Sequence, residues 1–328
     1  MNYRVLGKTG LKVSEVGLGG LFVSSAGASR EEGCRAVRRA LELGVNYVDT
    51  APTYRDSEEV LGEALQGVPQ PYILSTKLGG RPQPFEPQNK AHLRESVKTS
   101  LKLLKRDTID ILMIHEPDRP GQYDWFTDWE SFHGPVCDVL EALKTEGIIR
   151  FTGLGGTTAY TLPPIIATGR YDVVLTAFNY SLLWQEAVYA VLPEAIRQGV
   201  GIVIGSPLQQ GALARRYDDE IEQGAAWLSP PRRGQYKRLY TLLDDLGMSL
   251  PELAMRFVLS NPAISTVLSG VRSVAEIEEN LRFAAAGPLS REILDRIQAI
   301  AAMVPFRPFE EPSGLPFNRV YKGPGGAR

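Results

Sequence analysis

Apolar runs of strand length alternate along the chain with amphipathic helical patterns. The segment 91–105 shows the helical spacing, since Leu93, Val97, Leu101 and Leu104 fall on one face. Continuous apolar strands separated by helices indicate parallel pairing with both sheet faces buried. Eight such units predict an α/β fold of the closed (β/α)8 TIM-barrel type. The eight runs are 14–20, 46–51, 72–79, 109–115, 148–156, 172–180, 201–208 and 265–271.

Four segments lie outside a minimal barrel. The start "YRVLGKTGLKV" predicts an N-terminal β-hairpin turning at residues 8–10, and insertions occupy 116–133, 209–233 and the tail 304–328. Loops after barrel strands build active sites at the C-terminal face, so long loops there are expected to shape a substrate pocket. The first insertion is rich in aromatic residues, which either cover that pocket or form a small cluster of their own.

A doubly wound open sheet is the alternative fold. It would carry a G-x-G-x-x-G phosphate turn after its first strand, and "GLGGLFVSSAG" lacks that spacing. No linker, repeat or charge block marks a boundary. Residues 1–328 are therefore predicted to form a single domain.

Composition excludes several function classes. The net charge of −2 gives no general affinity for nucleic acid or anionic membranes, so neither is expected as a partner. Cys34 and Cys137 lack metal-type spacing and fit core packing in a reducing compartment. The N-terminus has no signal-type apolar region, and no stretch approaches a membrane span. The expected location is cytoplasmic.

Polar residues stand at the ends of three consecutive strands. Asp49, Lys77 and His115 end the second, third and fourth runs, and Tyr54 follows in the loop after Asp49. Each has a structural explanation by itself, such as a turn cap or a hydrogen-bonded core histidine. Together on adjacent strands of one barrel face they indicate a functional site.

The chemistry that these four groups permit is narrow. One His with one Asp makes a poor metal site, and no nucleophilic Ser or Cys accompanies His115. A neighbouring ammonium is expected to lower the pKa of the Tyr54 phenol, and Asp49 would keep Lys77 charged. Tyr54 could then exchange a proton with a carbonyl or carbinol oxygen that His115 orients. Such proton transfer needs a hydride partner, for which nicotinamide is the natural choice.

These residues belong to motifs that resemble the aldo-keto reductase family over nearly the whole chain. The matching stretches are "VDTAPTY…SEEVLGEAL", "STKLG", "IDILMIHEPD", "VLEALKTEGIIRFTGLGG", "GSPLQQGAL" and "SGVRSVAEIEEN". The resemblance places the family's catalytic tetrad on Asp49, Tyr54, Lys77 and His115. It implies a barrel that binds NADP(H) or NAD(H) across its C-terminal mouth, without a Rossmann domain.

The resemblance also implies cofactor contacts. Ser206, Leu208 and Gly211 would lie along the pyrophosphate, and Tyr180 would stack on the nicotinamide. The adenosine end would contact Gly270, Arg272, Glu279 and Asn280. The expected substrate contacts are Phe22, Tyr123, Trp125 and Trp129.

Two positions depart from the family pattern. Gly155-Gly156 stands where the family commonly has Ser-Asn for the nicotinamide carboxamide, and Ala177 replaces the usual Gln. Backbone groups, Thr157 or Asn179 would then hold the carboxamide. Small residues at these places are similar to the branch of aldose 1-dehydrogenases.

The cofactor preference depends on two charged residues. Arg272 offers a guanidinium to a 2′-phosphate and favours NADP(H). Glu276 would repel that phosphate and favours NAD(H), although Ser273 and Glu276 also form a helix capping box. The sequence favours NADP(H), with NAD(H) as the second choice.

The predicted function is NAD(P)(H)-dependent interconversion of carbonyl and alcohol groups in small aldehydes, ketones or sugars, by a monomer or homo-oligomer. Two alternatives remain. One is a nicotinamide-binding sensor that resembles channel-associated β subunits and has little turnover. The other is an aldolase-like barrel that uses Lys77 as a Schiff base, which the neighbouring Asp49 opposes by keeping Lys77 protonated.

Overall fold

The computed structural model describes residues 1–119, 123–225 and 228–306, and these contain ten strands. β3 to β10 are parallel and close into a barrel in chain order, with β10 pairing back to β3. The predicted (β/α)8 barrel is confirmed, because each of the eight apolar runs contains one barrel strand. The strands are β1 (Tyr3–Val5), β2 (Lys12–Ser14), β3 (Val16–Gly19), β4 (Tyr47–Asp49), β5 (Ile73–Leu78), β6 (Ile109–His115), β7 (Ile149–Gly156), β8 (Val173–Ala177), β9 (Gly201–Gly205) and β10 (Thr266–Gly270).

Helices surround the barrel, and capping residues in the sequence mark where they begin and end. The Asn89 side chain accepts hydrogen bonds from two backbone N–H groups at the start of α3, and Gly147 has a φ of 73° just after α4. The helices are α1 (Arg30–Glu42), α2 (Ser57–Ala64), α3 (Lys90–Leu104), α4 (Pro135–Thr145), α5 (Leu162–Ile166), α6 (Val191–Arg197), α7 (Asp218–Gln223), α8 (Pro230–Leu246), α9 (Leu250–Leu259), α10 (Val274–Ala285) and α11 (Arg291–Ala301).

The predicted hairpin is confirmed and covers the N-terminal end of the barrel. β1 and β2 pair antiparallel, and the N–H of Lys8 donates to the carbonyl oxygen of Gly199 at 2.6 Å. Leu6 and Val13 pack with the buried side chains inside the barrel, among them Tyr47 and Met113. With this end covered, the C-terminal ends of the strands form the open mouth.

Outside the barrel, the helices bury their apolar faces on the strands. Val37 and Leu41 of α1 pack with Val48 of β4 and Val60 of α2. Each such side chain contributes about 1.5–3 kcal/mol relative to an exposed one. In the described ranges no helix combines the length and apolarity that a membrane crossing requires. Trp227 and residues 307–328 lie outside the described residues, so the single domain 1–328 stays a prediction.

Candidate active site

The mouth of the barrel brings the four predicted catalytic groups together. Lys77 Nζ donates to Asp49 Oδ2 at 2.7 Å and to the carbonyl oxygen of Thr50 at 2.7 Å. The same Nζ lies 4.9 Å from the centroid of the Tyr54 ring. The rings of Tyr54 and His115 meet edge to face, with centroids 5.9 Å apart. Side chains from three strands and one loop thus form a single cluster, as the strand-end pattern predicts.

The loop that carries Tyr54 is fixed by the first residues of α2. Ser57 Oγ donates to the carbonyl oxygen of Gly20 at 2.8 Å, which bonds the helix start to the end of β3. Glu58 Oε1 accepts from Thr76 Oγ1 of β5 at 2.8 Å. These buried bonds hold the phenol next to β4 and β5, so its position does not depend on a free loop.

The ion pair at the base of this cluster is shielded from water. The side chains of Lys77 and Asp49 are 1% and 2% exposed. Burial lowers the pKa of Lys77, but the Asp49 carboxylate and the Tyr54 phenol together raise it by more, and the pKa lies above its ordinary value. Lys77 is therefore an ammonium group at neutral pH.

Tyr54 is less acidic than the sequence indicates. Burial raises the pKa of its phenol, and the Lys77 ammonium offsets only part of this effect, so the pKa lies above its ordinary value. The expectation of a lowered pKa is wrong, although the contribution of Lys77 has the expected sign. In this structure the phenol is protonated at neutral pH and is ready to act as a proton donor.

His115 is a neutral imidazole at the edge of the cluster. Burial and the Lys77 ammonium lower the pKa of His115 from 6.5 to about 3. Its backbone oxygen accepts a hydrogen bond from Trp125 Nε1 at 3.0 Å. Within the described residues, the buried Nδ1 has no hydrogen-bond partner. A neutral ring nitrogen in this place can bind a substrate oxygen or hydroxyl group.

The lowered pKa of His115 predicts an acid sensitivity of the fold. Because the unfolded chain protonates this residue near pH 6.5 and the folded chain only near 3, its contribution to stability is complete above pH 6.5 and is lost as the pH falls toward 3. The loss is about 1.4 kcal/mol per pH unit inside that window. The free energy of urea unfolding, measured between about pH 7 and pH 5, should show this slope. His115→Gln should reduce the slope by up to about 1.4 kcal/mol per pH unit, which corresponds to one proton. Equal slopes for both proteins would contradict the predicted state of His115.

A cavity of about 420 Å³ runs from Asp49 and Tyr54 across the mouth of the barrel to the start of α10. Its floor is made partly of Gly19, Gly20 and Gly205, which leave room for a ligand. The loop after β9 is strained, since Ser206 has a φ of 54°, as is often found at functional sites. Eight predicted contact residues line this cavity, namely Phe22, Ser206, Leu208, Gly211, Gly270, Arg272, Glu279 and Asn280.

The predicted carboxamide contacts are not among the residues that line this cavity. A β-carbon on Gly156 would come within 2.8 Å of Asp118 Oδ2 and still closer to Leu162, whereas one on Gly155 would meet Lys77 at 3.4 Å. Asp118 Oδ2 also accepts from the backbone N–H of Thr157 at 2.8 Å. Asp118 and Leu162 therefore fill the space that a side chain at position 156 would need, which explains the glycine there.

Asn179 and Tyr180 are buried away from the cavity lining. Asn179 Nδ2 donates to Thr176 Oγ1 at 3.1 Å. Tyr180 is 6% exposed, packs on Phe257 with ring centroids 5.2 Å apart, and accepts a hydrogen bond from Asn261 at 3.2 Å. Its ring is part of the core and is not among the residues that line the cavity.

Two of the predicted aromatic substrate contacts have structural roles instead. Trp125 is fully buried, and its indole supports the backbone of His115. Trp129 is 38% exposed and packs edge to face on Phe126 and Phe132, as the cluster alternative predicts. Tyr123 packs on Trp125, with its ring beside Gly79 and Gly80 at the end of β5. Tyr123 therefore packs beside the end of the strand that carries Lys77.

Several cavity residues were not predicted from the sequence. Gln210, Arg215 and Tyr217 come from the insertion after β9, where a basic and an aromatic residue two positions apart were the available signal. Pro251 and Met255 come from α9. Their helical pattern does not distinguish them from core residues.

Comparison with known proteins agrees with this geometry. A family model described as "Aldo/keto reductase family" matches residues 15–302. L-galactose dehydrogenase of Arabidopsis thaliana is 31% identical over 95% of this chain and 97% of its own. D-threo-aldose 1-dehydrogenase of a Pseudomonas species is 27% identical, over 84% and 91%. A probable voltage-gated potassium channel subunit beta of Arabidopsis thaliana is 26% identical, over 94% and 99%.

Among solved structures, the holo form of the aldo-keto reductase AKR11C1 from Bacillus halodurans is similar. It has a TM-score of 0.75 and 27% identity, covering 93% of this chain and 98% of its own. The family match extends from the residue before β3 to the end of α11, which is the whole barrel. The chain therefore belongs to the aldo/keto reductase family and is an NAD(P)-dependent oxidoreductase.

Proposed function

We propose that the protein interconverts a carbonyl and an alcohol group of a small aldose, aldehyde or ketone, with Tyr54 as general acid and base. The observation that carries this proposal is the buried Lys77–Asp49 pair, with Lys77 Nζ 4.9 Å from the Tyr54 ring and His115 against the same ring. A phenol beside an ammonium and a neutral imidazole suits proton exchange with an oxygen atom at the mouth.

The cavity lining carries groups that a nicotinamide dinucleotide could bind along its length. It begins at Tyr54 and ends at Arg272 and Asn280, with Ser206 and Arg215 between them as groups that can bind phosphate. A nicotinamide bound at the Tyr54 end would supply or accept the hydride. Arg272 alone favours NADP(H), whereas the carboxylate of Glu276 beside it favours NAD(H).

Each residue of the cluster has one role in this proposal. In reduction the Tyr54 hydroxyl gives its proton to the carbonyl oxygen, and in oxidation the phenolate takes the proton of the alcohol. Lys77 stabilises the phenolate, and Asp49 holds Lys77 in place and charged. The neutral His115 ring hydrogen-bonds the substrate oxygen and orients it. Tyr123 and Phe22 are proposed to contact the substrate.

The names of two relatives support a sugar as the substrate, since both are dehydrogenases of aldoses. A substrate screen tests this. Free aldoses with NAD⁺ or NADP⁺, and small aldehydes and ketones with NADH or NADPH, should give turnover with at least one pair. The channel-subunit relative supports the sensor alternative, which predicts tight nucleotide binding with negligible turnover throughout the screen. Borohydride trapping of substrate on Lys77 without nucleotide would instead favour an aldolase.

The assembly and location of the protein stay predictions. A small carbonyl or sugar is the proposed partner of the site. The monomeric or homo-oligomeric state and the cytoplasmic location rest on the sequence alone.

A further inference from the structure

The far end of the cavity carries an arginine that a glutamate already binds. Arg272 Nε donates to Glu276 Oε1 at 2.8 Å, and its Nη2 group contacts the same oxygen. The backbone N–H of Arg272 donates to Glu276 Oε2 at 2.8 Å. Both carboxylate oxygens of Glu276 thus accept hydrogen bonds from Arg272. Nε and Nη2 form one edge of the guanidinium group. Arginine can use this edge to donate two parallel hydrogen bonds to a phosphate.

Local structure holds both partners of this pair. Ser273 Oγ accepts from the backbone N–H of Glu276 at 3.3 Å and begins α10, so the carboxylate lies in the first helical turn, where the helix dipole stabilises it. The loop between β3 and α1 covers the stem of Arg272, since a β-carbon on Gly27 would lie 3.0 Å from its Cγ. Both residues therefore line the cavity, at its solvent-facing end, where the side chains of Arg272 and Glu276 are 47% and 31% exposed.

The charges at this end are unfavourable for a further anion. Glu276 and Glu279 line the cavity beside Arg272, and Glu279 pairs with Arg282 at 3.2 Å, so each carboxylate already neutralises one guanidinium. Arg215, the other cation among the described lining residues, lies over the Tyr217 ring at 4.1 Å. A phosphate monoester carries a charge of about −1.5 to −2 near neutral pH. Because NADP(H) differs from NAD(H) by one such group, this end of the cavity distinguishes the two by charge.

We propose that Glu276 makes the enzyme selective for NAD(H) over NADP(H) by occupying the guanidinium that a 2′-phosphate needs. The inference rests on the proposed function, because it takes the nicotinamide to lie at Tyr54 and the adenosine ribose to lie at Arg272. It reverses the preference for NADP(H) that the sequence alone favours.

Nucleotide binding by the wild type and by Glu276→Gln tests the inference without any substrate. Titrating protein fluorescence with NADH and NADPH gives the dissociation constants. The wild type should bind NADH more tightly than NADPH. Glu276→Gln should tighten NADPH binding by about 10- to 100-fold, because the guanidinium is released, and leave NADH within about threefold. Glutamine retains the capping chemistry of this helix position, so the variant is expected to fold.

Two further variants control the experiment. Glu278 lies on the same helix but pairs with Arg39 at 2.7 Å and is not part of the cavity lining, so Glu278→Gln should change neither affinity. The double variant Arg272→Ala/Glu276→Gln should lose the NADPH affinity that Glu276→Gln gains. That loss would identify the guanidinium as the group that binds the phosphate.

The outcomes separate this inference from the proposed function. Equal binding of NADH and NADPH by the wild type, or an unchanged NADPH affinity in Glu276→Gln, would overturn the selectivity role and leave the redox proposal standing. Failure of the wild type to bind either nucleotide would overturn both.

Discussion

Tyr54→Phe is expected to reduce turnover by about 100- to 10,000-fold in both directions, while the nucleotide dissociation constants stay within about twofold. The variant keeps the aromatic ring against Lys77 and His115 and removes only the hydroxyl that carries the proton. Steady-state rates with the substrate found in the screen, and fluorescence titration with the nucleotide, measure the two effects separately.

The pH dependence of the wild type gives a second readout of Tyr54. Because burial holds the pKa of this phenol above its ordinary value, the proton donor is present throughout the neutral range. Reduction should therefore be independent of pH near neutrality, and oxidation, which needs the phenolate, should accelerate as the pH rises. Tyr72→Phe is a matched control, since its hydroxyl bonds Arg106 at 3.1 Å and it does not line the cavity. Near-normal turnover in Tyr54→Phe would show that another group transfers the proton.

Lys77→Met is expected to remove turnover and also to destabilise the fold by about 3–5 kcal/mol. The substitution leaves the Asp49 carboxylate buried without the ammonium that lies 2.7 Å away, and among the described residues Ser75 Oγ is the side chain that still donates to it, at 3.0 Å. Asp49→Asn added to Lys77→Met removes the buried charge. The double variant should regain a large part of the stability and none of the activity.

Urea unfolding and turnover measured on the same preparations test this pair. Lys90→Met is the matched control, because Lys90 forms a 2.6 Å ion pair with Asp138 at the surface, where both side chains are more than two-fifths exposed. Lys90→Met should lower the free energy of unfolding by at most about 1 kcal/mol. If the double variant is as unstable as Lys77→Met, the uncompensated carboxylate is not the source of the instability.

The fold and the polar cluster at the mouth of the barrel follow from the local sequence pattern and one rule of topology. Apolar runs and helical spacing predict eight strand–helix units, and parallel strands in a closed barrel all point their carboxyl ends at one mouth. Asp49, Lys77 and His115 end consecutive strands, so their proximity did not require knowledge of any contact. Seven of the cavity-lining residues were likewise anticipated through the family motifs, namely Ser206, Leu208, Gly211, Gly270, Arg272, Glu279 and Asn280.

The contacts of two aromatic side chains could be learned only from the folded structure, because each side chain packs against residues that the sequence pattern does not identify. Tyr180 packs on Phe257 and is hydrogen-bonded by Asn261, and Trp125 donates a hydrogen bond to the backbone of His115. The sequence pattern had placed both aromatic side chains at the mouth of the barrel. These partners lie about 80 and 10 residues away along the chain, and periodicity carries no information about such contacts.

The sequence by itself determined which chemical groups lie at the mouth of the barrel, because the hydrophobic pattern predicts the order and direction of the strands. Tertiary structure decided how those groups behave. The depth of burial set the pKa of Tyr54 above its ordinary value against the effect of Lys77. The start of α10 placed Glu276 on Arg272. Desolvation and pairwise charge both depend on distances in three dimensions, which is why the sequence predicted the members of the site better than their energies.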